Sequence, residues 1–112
     1  MDKQKFLGEF EQFILLAILK LGENAYGSTI RQLLADTIQR DVTIGALYTT
    51  LERLEKKGLL ESKMGEATAE RGGRAKKYFK VSAQGQSALK RSKHALHSMW
   101  QGVTIKSSVF GV

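Results

Sequence analysis

At Gly58 the hydrophobic period of this chain changes from that of a helix to that of a strand, and that switch limits the folds open to it. Before it, Leu47, Leu51 and Leu54 form a four-then-three row behind Thr43, a good N-cap. Lys56 and Lys57 sit at the negative end of that helix's dipole, and Gly58 suits the left-handed residue past its last turn. After it, Leu60, Ser62 and Met64 alternate with Glu61 and Lys63, a period of two. Gly65 to Gly73 then reads as a polar, glycine-bearing loop, and Ala75 to Val81 as a returning strand. A helix from Thr43 to Lys57 feeding directly into a hairpin is therefore the centre of the expected fold.

Two helices are expected upstream. From Gly8 to Leu21, Phe10, Phe13, Ile14, Ala17, Ile18 and Leu21 recur at helical spacing, and Gly22 is placed to end the element. Leu15, Leu16 and Leu19 widen the stripe until this helix is apolar nearly all round, as in a helix central to a core or covered by a second chain. A second helix fits Ser28 to about Ile38, with Ser28 as its cap and Tyr26-Gly27 as a tight entry where two backbones approach. Downstream, a last helix runs from about Ser82 to Trp100 or Gln101. Leu89, Leu96 and Val103 are seven apart, with Ser92 and Met99 interleaved, which makes a narrow seam of coiled-coil type. Such a seam serves dimerisation, or else folds back on its own domain. The expected class is α+β, mostly α, with a domain over residues 1–81 and a dimerisation helix and tail over 82–112.

At 112 residues there is material for one domain, and the apolar fraction of 42% is that of a globular chain. With no cysteine there is neither a disulfide framework nor a thiolate metal site, as in a reducing cytoplasm. The longest apolar run, Phe13 to Leu19, is seven residues, where a membrane helix needs about 20. The N-terminus lacks a signal-peptide pattern. A cytoplasmic protein without a membrane partner is expected. No phosphate loop, nucleophile–base pair or metal cluster is legible, so the chain reads as a non-enzyme without cofactors. His94 and His97, three apart on one helix, are too few ligands for a metal.

The net charge of +7 is unevenly placed. Residues 1–22 carry three acids and three bases, and residues 23–58 carry five of each. After Gly58, ten bases face three acids, and five of those bases fall between Arg71 and Lys80. A localised excess of this kind attracts polyanions. Two short helices joined by a brief turn, the second with small and polar residues at its start, form a helix-turn-helix. Gly45 and Ala46 let that start approach a major groove; Thr43 and Thr49 offer hydroxyls, Tyr48 a ring and a hydroxyl, and Arg53 a charge farther along. Arg71, Arg74, Lys76 and Lys77 cluster on the hairpin behind it. The partner expected is double-stranded DNA, with RNA or an acidic protein as the alternative.

Three linked motifs also resemble a family. Tyr26-Gly27, Gly45-Ala46-Leu47-Tyr48 running through Leu51-Glu52-Arg53-Leu54 to Gly58-Leu59-Leu60, and Gly72-Gly73-Arg74 through Tyr78-Phe79 to Gly85 are similar to PadR-family transcriptional regulators. The resemblance spans about residues 9 to 100. It implies a winged helix-turn-helix, a homodimer built through the first and last helices, and repression through a palindromic operator. It also implies that Tyr48 and the start of the third helix meet DNA, with Arg74, Lys76 and Lys77 in the wing. The dimer interface is expected to use Phe10, Phe13, Ile14, Leu89, Leu96, Met99, Trp100 and Val103, and a small-molecule effector pocket would involve Leu96, Met99 and Trp100. Two positions depart from the pattern. Ile44 stands where members often carry proline, and the lone tryptophan, Trp100, lies about one turn beyond the drug-stacking position, which aligns with Leu96.

Overall fold

The computed structural model describes residues 6–65 and 75–106. Among these, the chain order is α1 (Glu9–Leu21), a short 3-10 turn (Gly22–Asn24), α2 (Gly27–Ile38), α3 (Ile44–Lys56), β1 (Leu60–Met64), β2 (Lys77–Val81) and α4 (Ala83–Trp100). The helix-then-hairpin order is the one expected from the period switch, and the whole is the winged helix-turn-helix that the family resemblance implies. β1 and β2 pair antiparallel, with Leu60 opposite Val81, Ser62 opposite Phe79 and Met64 opposite Lys77. A third short rung joins them, because Ala25 O accepts from Phe79 N at 2.9 Å and Tyr26 bridges Tyr78.

Local signals set the element ends. Thr43 Oγ1 accepts from Ala46 N at 3.1 Å, so the expected Thr43 cap forms, and Ser82 Oγ caps α4 in the same way by accepting from Gly85 N at 3.0 Å. Gly22 and Gly58 adopt φ of 61° and 81°, a region costly for residues with a Cβ. The start of α2 differs from expectation. It begins at Gly27, and the hydroxyl of Thr29, not Ser28, accepts from Tyr26 N at 3.0 Å. Its end is made by Gln39 in the left-handed region at φ 53°, without any glycine.

The core is the meeting of the helical faces with the sheet. Ile14, Leu15, Ile18, Ile30, Leu47, Leu51 and Leu54 are fully buried, and Leu60, Phe79, Val81 and Leu89 close the cluster. The packing within one chain places the residues expected at an interface with a second chain as follows. Ile14 and Leu89 belong to the protomer's own core, which leaves them almost no surface to offer. Phe10 and Phe13 pack at the core's edge beneath the Arg40 guanidinium, 4.9 and 5.9 Å from the ring centroids. Val103 falls beyond the end of α4, past Gly102 at φ 79°, so the seam Leu89–Leu96–Val103 is not one continuous helical row.

Ion pairs tie α1 to both ends of α3. Arg40, in the turn before α3, reaches Glu9 at 3.2 Å, and Lys57, at its end, reaches Glu11 at 2.9 Å. Glu11 also accepts from Gly8 N at 2.9 Å, so it caps the helix to which it belongs. Burial raises the pKa of the Glu11 carboxyl, but the Gly8 amide and the Lys57 ammonium, with Arg53 farther off, outweigh it and hold the group below its ordinary value. A carboxyl whose pKa is lower folded than unfolded stabilises the fold above the carboxylate range. That contribution is lost as pH falls through it. Glu11→Gln is expected to lose about 1 kcal/mol at pH 7, with the gap to the parent closing near pH 3. Urea unfolding at both pH values checks this, and an equal gap at the two would refute it.

Candidate nucleic-acid interface

The first turn of α3 presents no polar side chain. Ile44, Gly45 and Ala46 are exposed, while the next turn turns Leu47, Thr50 and Leu51 inward. Thr50 donates to Ala46 O at 3.1 Å and Thr43 is engaged in the cap, so Thr49 is the first exposed hydroxyl with no partner among the described hydrogen bonds. Arg53 follows, exposed, one turn on.

Gly45 is informative for what the fold does not ask of it. Its backbone is helical, and a Cβ built there meets nothing within 4 Å. Glycine in a helix is less stable than alanine by up to about 1 kcal/mol, so no internal contact accounts for its presence. Gly27 is the opposite case. A Cβ there would lie 2.5 Å from the Tyr48 hydroxyl oxygen, so this glycine makes room for a side chain from α3. The expectation of two backbones approaching at Tyr26-Gly27 is corrected accordingly.

Tyr48 is half-buried, its ring 6.4 Å from that of Phe79 and its hydroxyl at the start of α2. Around it the chain brings together segments that are far apart in sequence. An open cleft of about 560 Å³ is lined by Tyr26, Gly27 and Ser28 from the start of α2, Ile44 and Tyr48 from α3, and Met64, Ala75, Lys76 and Lys77 from the hairpin. The N-terminal ends of α2 and α3 both open here, and the backbone N–H groups of such ends carry partial positive charge. Lys76 adds an ammonium group, held 4.1 Å from the Tyr26 ring centroid, and Tyr26 in turn meets Tyr78 edge-on at 5.4 Å. Lys77 points toward a carboxylate, its Nζ 3.9 Å from Glu55, and lies over the Phe79 ring. Arg71 and Arg74, expected at the wing's tip, lie outside the described residues.

On α4, the residues expected to meet a second chain or an effector, Leu96, Met99 and Trp100, stand on an open helix face. A pocket there needs a second chain for its other wall. The sequence from Arg71 onward contains no Asp or Glu at all, so the charged side chains of α4, Lys90, Arg91 and Lys93, are all basic. No helix among the described residues is long and apolar enough to cross a membrane.

The pattern defining the transcriptional regulator PadR-like family matches residues 15–91, which is most of the chain and includes every element from α1 into α4. The chain belongs to the PadR-like family. Among solved structures similar to this PadR-like protein, the PadR-like transcription factor from Bacteroides fragilis is 30% identical, with a TM-score of 0.69 over 82% of this chain and 84% of its own. A PadR family regulator from Eggerthella lenta DSM 2243 is 26% identical, with a TM-score of 0.65 over 84% of this chain and 81% of its own. One from Clostridium difficile R20291 shares the fold at 22% identity, with a TM-score of 0.67 over 84% of this chain and 93% of its own. No curated protein matches the sequence. The family is one of transcription regulators and not of enzymes, in agreement with the absence of any catalytic constellation expected from the sequence.

Proposed function

We propose that this PadR-like regulator is a repressor that binds a palindromic operator as a homodimer, with α3 in the major groove and the β1–β2 wing on the flanking backbone. The observation that carries this reading is the cleft where the starts of α2 and α3 meet the Lys76 side of the wing. A phosphate group is the natural occupant of a place where two helix N-termini, a tyrosine hydroxyl and an ammonium converge. The excess of bases after Gly58 supplies the long-range attraction, while α3, in a segment balanced between acids and bases, supplies shape and hydrogen bonding.

Gly45 supports the same placement. A helix start without a side chain, in a position where the fold has room for one, suits close approach to a base edge. Gly45→Ala is therefore expected to separate stability from binding. The fold gains about 0.5 kcal/mol, and affinity for the preferred DNA falls. Thermal unfolding and a binding titration on the same variant check it. A gain in stability with unchanged affinity for every sequence would remove Gly45 from the interface.

The dimer rests on the geometry of α4. Gly85, Ala88, Leu89 and Ser92 are buried against the domain, and Leu96, Met99 and Trp100 continue the same face at spacings of three and four. They remain 59%, 75% and 48% exposed, so one protomer covers only the first half of a single stripe. The equivalent stripe of a second copy is the cover of matching shape. On α1, Leu16 and Leu19 also stand exposed, facing away from the core. Two copies joined in this way would set their recognition helices roughly 34 Å apart, one turn of DNA.

The test is binding to duplexes selected from a random pool, in the presence of excess competitor DNA. Sequence-specific binding that survives the competitor supports the repressor reading. Weak binding that salt erases, with no sequence preferred, would overturn it in favour of a basic module for RNA or an acidic partner.

A further inference from the structure

We infer that Ile44 is a base-reading residue, and that the operator half-site of this protein carries a thymine whose 5-methyl group packs against it. The inference rests on the reading of α3 as the recognition helix. Within that reading, it names what the start of the helix recognises.

Ile44 is the first residue of α3 and is 49% exposed, although it is among the most apolar residues of the chain. It is not a core residue displaced by crowding. Its neighbours on the open side are Tyr48 across one turn and Met64, itself 61% exposed, at the edge of the hairpin. The two flank the mouth of the cleft into which the DNA backbone is proposed to fit. Hydrocarbon left open at that place gains free energy when an apolar group covers it.

The groove offers one apolar group only. Among the four base-pair orientations, the major-groove edges present acceptors, donors and the thymine methyl, and nothing else of hydrocarbon character. The side chains of the first turn of α3 answer the polar groups poorly. Ile44, Gly45 and Ala46 bring no side-chain donor or acceptor, and the Thr43 hydroxyl, which accepts from Ala46 N, keeps only its own proton to donate. The next exposed hydroxyl, that of Thr49, is more than a turn away along the helix. Contact by Ile44 itself is therefore by shape and methyl packing, and a thymine is selected because its methyl buries against Ile44 where a cytosine offers only hydrogen.

The experiment replaces each thymine of the selected duplex, one at a time, by deoxyuridine, which removes the methyl and keeps Watson–Crick pairing. At one thymine of each half-site the parent protein is expected to bind about fourfold more weakly, the effect of uncovering a single methyl contact. Ile44→Ala is expected to bind the thymine duplex more weakly by a similar factor and to be indifferent to the same replacement. Ile44→Val, which keeps two methyl groups, should retain most of the discrimination. Because the side chain is half exposed, all three proteins should melt at similar temperatures, and the melting curves check this directly. If the parent binds its selected duplex tightly but tolerates every deoxyuridine, Ile44 does not read thymine, and the repressor reading stands without it. A discrimination that persists unchanged in Ile44→Ala assigns the methyl contact to another residue and overturns the inference equally. Failure to select any preferred duplex would remove the repressor reading itself.

Discussion

Leu96→Lys is expected to behave as a monomer in solution and to bind operator-length DNA at least about 100-fold more weakly than the parent. Leu96 takes little part in the packing of its own domain, being 59% exposed, so the monomer should remain folded. What it loses is the second half of the α4 stripe, where an ammonium group would stand among Met99 and Trp100 of both copies. Burial of an unpaired charge in an apolar interface costs several kcal/mol, more than a two-helix contact can absorb. Two linked half-sites bind far more tightly than either alone because the second contact is made at high effective concentration. The loss of affinity thus follows from the loss of mass, with no change at the recognition helix. Sedimentation and a DNA titration on the same sample measure both. A variant that kept the mass of a dimer would show that α4 is not the interface, and a monomer with undiminished affinity would show that operator binding does not need the dimer.

The second large effect is expected at Gly85, in the first turn of α4. A Cβ there would run into the carbonyl oxygen of Leu59 and lie 2.7 Å from Val81 Cγ1. The Leu59 oxygen is part of the backbone and already accepts from Ser82 N at 3.1 Å, so it has nowhere to yield. Gly85→Ala should therefore destabilise the domain by about 2–4 kcal/mol in urea unfolding, although alanine is the better helix former. Loss would be seen in far-UV and tertiary signals together, because α4 closes the core through Leu89 and Ala88. A neutral or stabilising result would mean that the start of α4 can shift away from the β1–α3 corner. The contrast with Gly45 is instructive. The two glycines look alike on paper, both early in a helix, yet one is required by internal packing and the other is not.

That contrast shows where reading the sequence stops. Thr43 as a cap, Gly22 and Gly58 as helix ends, and the alternation after Gly58 are all legible, because each depends on neighbours within three or four residues. The membership of the basic residues in a hairpin beside α3 is legible for the same reason. The sequence points to Ser28 where Thr29 makes the bond, because a hydroxyl at the third helical position can reach back as well as one at the cap can reach forward. What covers the apolar faces is only partly legible. Periodicity tells that Phe10, Ile14, Leu89 and Leu96 lie on apolar stripes, but not whether a side chain from the same protomer or from another covers them.

What the sequence alone determined, then, is the order of elements, most of their ends, the family and the location of the positive charge. Only the tertiary structure decided that Gly27 serves Tyr48 and Gly85 serves Leu59, and that Arg40 roofs Phe10 and Phe13. It alone showed that the protomer buries Leu89 but leaves Leu96, and that Ile44 stands open beside the cleft. The physical reason is range. Hydrogen-bonded turns and caps are set by residues adjacent in the chain, whereas burial is set by whichever surfaces meet after tens of residues have been folded between them.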